Sequence, residues 1–212
     1  MSGFLPLFID LCDRKVVIIG GGSVGERKAA LFGRYAKTVV VSFEFTERLM
    51  ELEDIERITM DEKLGDDEFA DLIEDAFLVI PATDDPAYNK HLSGIASRQG
   101  VLVNRVDDLG DVIIPSVIAR GDIVIGISTL AHSPALSRYI RGRIEEVITP
   151  EYADMARLQS EMREYLKGRV PDQATRQRIL WTILEDGTVW EYLRTSYEQA
   201  FGRAMLHCED VS

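Results

Sequence analysis

Gly20, Gly22 and Gly25 follow the pattern G-x-G-x-x-G within VVIIGGGSVGERKAALF, residues 16–32. That spacing suits one chemistry, the holding of a dinucleotide pyrophosphate. The first glycine permits a tight turn, the second lets phosphate approach the backbone, and the third lets a helix lie close on a strand. Unpartnered N–H groups at the helix start attract the anion. A Gly-rich strand-to-helix turn without a ligand is the plainer alternative. Context favours the nucleotide: Val16, Val17, Ile18 and Ile19 form a buried strand before the glycines, a helical pattern follows, and a second strand comes on schedule. Glu44 stands 22 residues after Gly22, near the spacing at which an acid binds the adenosine ribose. Its other reading is a solvent-facing loop carboxylate.

Three further groups carry possible chemistry. Asp107 and Asp108 end a predicted strand, where a carboxylate serves as general base or steadies developing positive charge; adjacent loop aspartates also serve as turn caps. Of the three histidines, His91 falls inside a predicted helix and His207 near the tail, while His132 lies between a strand end and a helix cap. Around it, Ser128, Thr129 and Ser133 precede a helix opened by Ser133-Pro134 and carrying Arg138, Arg141 and Arg143. A hydroxyl-flanked helix start with nearby arginines suits carboxylates; the alternative is an ordinary capped helix with a solvated basic face. No HExxH, paired CxxC or GxSxG motif is present, so zinc hydrolysis and serine esterase chemistry have no support and no metal ligands are assigned.

The elements that must position these residues alternate. Strands are predicted at residues 16–19, 39–41, 77–80 and 101–103, with a short one around 56–60. Between them lie helices, including one capped by Thr83 or Asp84 with Pro86 in its first turn and ended by Gly100. Alternation of this kind implies a Rossmann-type α/β fold, a doubly wound parallel sheet whose ligands gather at the carboxyl ends of the strands. The glycine loop, Glu44, Phe45, Ala82, Thr83 and residues 104–107, Asn104 among them, then face one crevice. The apolar segment 4–11 is expected to pack beside the sheet. After Asp111 two antiparallel strands, 112–118 and 123–127, follow, joined through Gly121. Beyond Pro150 the chain reads as helical, with stripes Met155-Leu158-Met162-Tyr165, a short helix with Ile179 and Ile183, and Trp190-Leu193-Tyr197-Phe201-Ala204. The expected division is 1–111, 112–149 and 150–212.

Composition narrows the partners. The net charge of −12 is concentrated: residues 51–75 hold 12 of the 36 acids and 2 of the 24 basic residues. Nothing forms a basic stripe, which disfavours nucleic acid. No apolar run spans a membrane and no leader opens the chain, and two cysteines form no metal cluster or disulfide framework. A cytoplasmic protein is expected.

With these residues laid out, the chain resembles the precorrin-2 dehydrogenase family, which includes the N-terminal module of bacterial sirohaem synthase. The motifs are LPLFIDL at 5–11, the glycine segment at 16–32, ATDDPAYN at 82–89, VNRVDD at 103–108, IIPSVIARGDIVIGIST at 113–129 and SPALSRYIR at 133–141. The resemblance implies NAD-dependent oxidation of precorrin-2 to sirohydrochlorin and a homodimer formed by the segment after the Rossmann domain and the helical tail. It implies that Asp107 is the essential aspartate. Ser23, Val24, Glu44 and Phe45 would line the NAD site, and Ser128, Thr129 and Ser133 would form the substrate segment. Departures stand beside the likeness. Leu130-Ala131 replaces two glycines of an S-x-GG-x-SP pattern, which predicts a stiffer, differently shaped loop. Arg105 replaces an apolar residue, and Gly25 a common alanine. With no methyltransferase domain after Ser212, methylation of uroporphyrinogen III is expected of another protein. Two other functions stay open: an additional Fe²⁺ chelatase using the same aspartate, and a non-catalytic NAD sensor.

Overall fold

The computed structural model describes residues 3–106 and 108–209. Its first compact unit is a five-stranded parallel sheet: β1 (Lys15–Gly21), β2 (Lys37–Phe45), β3 (Ile55–Thr59), β4 (Ala76–Pro81) and β5 (Leu102–Val103), in the order β3-β2-β1-β4-β5. Register is simple at its centre, where Val17 pairs with Val39 on one side and Val79 on the other. Successive side chains of a strand point to opposite faces, and β1 is buried on both. Val17 and Ile19 pack under α3 (Asp66–Leu72) and α4 (Pro86–Arg98); Val16 and Ile18 pack under α1 (Ser23–Phe32) and α2 (Glu47–Met50). Helices on both faces explain the unbroken apolar runs of β1 and β4.

Several expectations are corrected here. Segment 4–11 does not pack beside the sheet: Leu5, Leu7 and Phe8 are 70–80% exposed, and only Leu11 reaches the α1-side core. The cap of α4 is Asp85, whose side chain accepts from the N–H groups of Ala87 and Tyr88, rather than Thr83 or Asp84. Pro86 at the first helical position fixes that choice, since the cap immediately precedes it.

The second unit spans residues 115–129 and 133–212, with 130–132 grouped with the first. It opens with an antiparallel hairpin, β6 (Ser116–Arg120) and β7 (Ile123–Ile127). Only Gly121 and Asp122 form the turn, and Gly121 takes the φ of +56° that such turns demand. β6 begins later than expected because Val112 and Ile114 pack instead on the core of the first unit's sheet. Helix α5 (Pro134–Val147) follows, then α6 (Glu151–Lys167), α7 (Gln173–Glu185), α8 (Gly187–Leu193) and α9 (Tyr197–Glu209). The last four share a core of Met155, Leu158, Met162, Leu166, Ile179, Ile183, Val189, Leu193, Ala200 and Ala204. Leu166 takes the fully buried place expected of Tyr165, α7 is a full 13 residues, and the final stripe is broken into two helices.

The break before α8 is held by Asp186. It caps α8 through the Thr188 N–H and accepts from Arg203 Nε at 2.7 Å and His207 Nε2 at 2.8 Å. Burial opposes the charge on this carboxylate, but the His207 and Arg203 hydrogen bonds prevail and hold its pKa down to about 2. His207 is thereby structural. So is His91, whose Nε2 lies 2.7 Å from Asp66 Oδ1.

Candidate cofactor site and substrate segment

At the carboxyl ends of β1, β2 and β4 the first unit has an open cavity of about 510 Å³. Each glycine of the motif has a separate reason to be there. Gly20 has φ +119°, and a Cβ on it would stand 2.5 Å from the Ala82 carbonyl oxygen. A Cβ on Gly25 would overlap the Gly20 carbonyl, so α1 rests directly on the end of β1. Gly22 is different: it caps α1 without a side chain, and a Cβ there would meet nothing within 4 Å. Open space at Gly22 thus adjoins the start of α1, the positive end of a helix dipole, a fit for pyrophosphate.

The surrounding walls are tied to this loop. Gly21 N–H donates to Ser42 Oγ at 2.8 Å, Thr46 N–H to the Gly21 carbonyl at 3.1 Å, and Ala82 N–H to the Ile19 carbonyl at 2.7 Å. Phe43, Glu44 and Phe45 from the end of β2, Met60 and Lys63 from beyond β3, and Ala82, Thr83, Asp84, Asp85 and Tyr88 from the end of β4 and the start of α4 line the cavity. Gly20, Gly22, Glu44, Phe45, Ala82 and Thr83 are thus brought together. Ser23 is exposed at the start of α1, and Val24 packs partly into the core beneath it. Sequence reasoning missed Met60, Lys63 and Asn89. Asn89 is buried and accepts from Thr83 N–H and Thr83 Oγ1 at 3.1 and 2.7 Å, while its amide donates to the Thr83 carbonyl at 2.9 Å. It fixes the turn that ends β4.

At the end of β5, Asn104 is 5% exposed and engaged at both ends of its carboxamide. Nδ2 donates to the Val112 carbonyl at 2.7 Å, and Oδ1 accepts from Lys28 Nζ at 2.9 Å. Burial, then the neighbouring Arg27, lowers the Lys28 pKa to about 8. Asp111 Oδ2 accepts from Val103 N–H at 3.1 Å, which ties Asp111 to the end of β5. Asp108 is exposed and accepts from Leu109 N–H at 2.7 Å. Asp107, the proposed general base, lies outside the described residues.

In the second unit the hydroxyls before α5 are built into its cap. Thr129 Oγ1 donates to the Ser133 carbonyl at 2.9 Å and accepts from Ser133 N–H at 3.0 Å, while Ser133 Oγ accepts from Leu136 N–H at 3.3 Å. Ser128 and Arg138 are exposed. Arg141 and Arg143 pair with Glu145 and Glu146 of their own helix at 3.9 and 2.6 Å, which reduces their claim on a substrate. Between Thr129 and Ser133 the backbone of Leu130 and Ala131 is left-handed, φ 52° and 63°. The loop keeps a conformation that glycine favours even though neither residue is glycine. Next to it, His132 is exposed.

Comparison with known proteins agrees with this construction. Residues 7–116 match the family described as "Putative NAD(P)-binding". The chain is 52% identical over 207 residues to the precorrin-2 dehydrogenase of Methanosarcina barkeri, covering 96% of this chain and 92% of that one. It is 35% identical over 204 residues to the siroheme synthase of Nitrosospira multiformis, covering 93% of this chain but 42% of that protein. A solved structure titled "SirC, precorrin-2 dehydrogenase" superimposes with a TM-score of 0.73 over 95% of this chain and 99% of its own, at 23% identity, a likeness of fold. The parallel sheet, the glycine cradle and the extent of these matches lead to one assignment: this chain belongs to the precorrin-2 dehydrogenase family.

Proposed function

We propose that this chain oxidises precorrin-2 to sirohydrochlorin with NAD⁺, a step in sirohaem synthesis. The observation that carries the reading is the glycine cradle with Glu44 beside it, in a chain like a precorrin-2 dehydrogenase along nearly its whole length. NAD⁺, when bound, supplies the hydride acceptor. The protein does the rest. The N–H groups of Ser23 and Val24 hold the pyrophosphate, Glu44 accepts from the ribose hydroxyls, and Phe45, Ala82 and Thr83 wall the site. Oxidation removes a hydride and a proton from the tetrapyrrole, and Asp107 takes the proton. Asn104, its carboxamide held by Lys28, is the substrate-binding residue at the end of β5. Ser128, Thr129, His132, Ser133 and Arg138, at the start of α5, meet the substrate's carboxylates. In this reading residues 1–111 bind NAD⁺, 112–149 serve dimerisation and substrate, and 150–212 form the helical domain.

The reading includes a homodimer working in the cytoplasm. Val117 and Val124 on the β6–β7 hairpin and Leu136, Tyr139 and Val147 on α5 are 40–66% exposed, an apolar set that supports a subunit contact. Among the described residues no helix is long and apolar enough to cross a membrane. The test is anaerobic: purified protein, fresh precorrin-2 and NAD⁺, with no metal. NADH release with a sirohydrochlorin spectrum is expected, and Asp107→Asn is expected to abolish turnover while NAD⁺ still binds. Nucleotide binding without turnover by the unaltered chain would leave only a sensor. Full turnover by Asp107→Asn would remove that residue from the chemistry.

A further inference from the structure

Acids outnumber cations among the charged residues lining the cavity at the ends of β1, β2 and β4. Glu44, Asp84 and Asp85 face it, against one cation among its described lining residues, Lys63. That cation is already engaged. Lys63 Nζ lies 2.6 Å from Asp85 Oδ2 and 5.0 Å from the centre of the Tyr88 ring. Asp85 cannot easily turn away, because its other oxygen accepts from Ala87 and Tyr88 N–H at 2.9 and 3.0 Å and caps α4. The Lys63 hydrogen bond lowers the Asp85 pKa and raises that of Lys63, so both stay charged at neutral pH. The helix cap thus holds a carboxylate in the place where it neutralises the pocket's cation.

We propose that the Lys63–Asp85 pair sets the choice between the two nicotinamide dinucleotides, by denying a 2′-phosphate the cation it would need. The inference rests on reading this cavity as the dinucleotide site. The two cofactors differ by one phosphate on the adenosine ribose. A site accepts that phosphate by offering a basic side chain, and rejects it with an acid placed for the free hydroxyl. Glu44 lies near the end of β2, and Lys63 lies four residues past β3, the strand paired with β2; both line the same cavity, with the Lys63 ammonium held at Asp85. With Asp85 charged, Lys63 is neutralised and Glu44 decides for NAD⁺. Without that charge, Lys63 is released toward the phosphate.

The chemistry of capping makes a clean test. Asparagine and serine cap helices about as well as aspartate but carry no charge. NAD⁺ and NADP⁺ are titrated calorimetrically into the full chain, Asp85→Asn, Lys63→Gln and the double variant, with thermal melts alongside. The unaltered chain is expected to prefer NAD⁺. Asp85→Asn should shift the ratio toward NADP⁺ by roughly tenfold, the effect of one added hydrogen bond to a charged group. The double variant should lose that gain. An unchanged ratio in Asp85→Asn, a gain that survives loss of Lys63, or an initial preference for NADP⁺ overturns the proposal. Failure of the unaltered chain to bind either nucleotide overturns the site itself instead. If Asp85→Asn does not fold, Asp85→Ser makes the same comparison.

Discussion

Replacing Ala131 with glycine should stabilise the protein, although Ala→Gly normally does the opposite. Ala131 has φ 63°, a left-handed backbone that costs a residue bearing Cβ roughly 1–2 kcal/mol. Its methyl is exposed, so removing it gives up little packing. Against that relief, glycine gives the unfolded chain extra freedom worth about 0.4–1 kcal/mol. The balance is a gain of about 0.5–1 kcal/mol, or roughly 1–4 °C in melting temperature for a chain of this size. Leu130 shares the conformation at φ 52° but is half-buried, so its truncation mixes strain relief with lost contacts. Ala131 is the discriminating position. The measurement is urea unfolding followed by far-UV circular dichroism and by Trp181 and Trp190, the chain's two tryptophans. Ala156→Gly, inside α6, is the control and should lose about 1 kcal/mol. If Ala131→Gly is destabilised like the control, the loop does not hold the strain argued here.

Two glycines of the motif should separate folding from binding. Gly22→Ala places its Cβ in open space and should melt normally, yet bind NAD⁺ at least tenfold more weakly in calorimetry because the methyl occupies the phosphate approach. Gly25→Ala restores the alanine common in the family but here drives Cβ into the Gly20 carbonyl, so the melting temperature should fall by several degrees; a normal melt would show that α1 yields cheaply. Asp186→Asn removes a charge whose folded pKa of about 2 lies below the ordinary 3.8. A depressed carboxylate stabilises above its unfolded pKa, and that stability is lost as pH falls through the folded one. The variant should therefore be about 2 kcal/mol less stable at pH 7, with the gap to the unaltered chain closing between pH 4 and 2. A gap that does not change with pH would assign the loss to packing.

The sheet was legible because its central strands are buried on both faces and so read as unbroken apolar runs: Val16 to Ile19 and Leu78 to Ile80 are each less than 3% exposed. β3 is weaker, IERIT, with charges at two of five positions. Its alternation marks a strand only faintly, so the sequence does not bring the loop after it, with Met60 and Lys63, into the crevice that the carboxyl-end rule locates. Asp85 was readable from Pro86 alone, and Thr83 and Asp84 distracted from it. Segment 4–11 shows the limit of hydrophobicity as a guide: apolar side chains indicate that something covers them, not that the same chain does. Left-handed Leu130 and Ala131 carry no signal in a single sequence, since neither residue type predicts that backbone. Position along the chain singles out Thr129 and Ser133 as candidates, but composition cannot say that they spend hydrogen bonds on each other.

The two units differ in how far apart in sequence their contacting residues lie, and that bears on the order in which the chain assembles. Val16 must find Leu78, 62 residues on, and Leu78 must find Leu102 before the sheet is complete. The helical core needs mostly neighbours: α8 packs on α9, and α6 on α7. Local contacts form fast and distant parallel pairing forms slowly. On refolding, fluorescence from Trp181 and Trp190 should recover before the capacity to bind NAD⁺ returns. During synthesis the sheet's first strands emerge early and wait with open edges for β4 and β5. The half that holds the cofactor is made first and finished last.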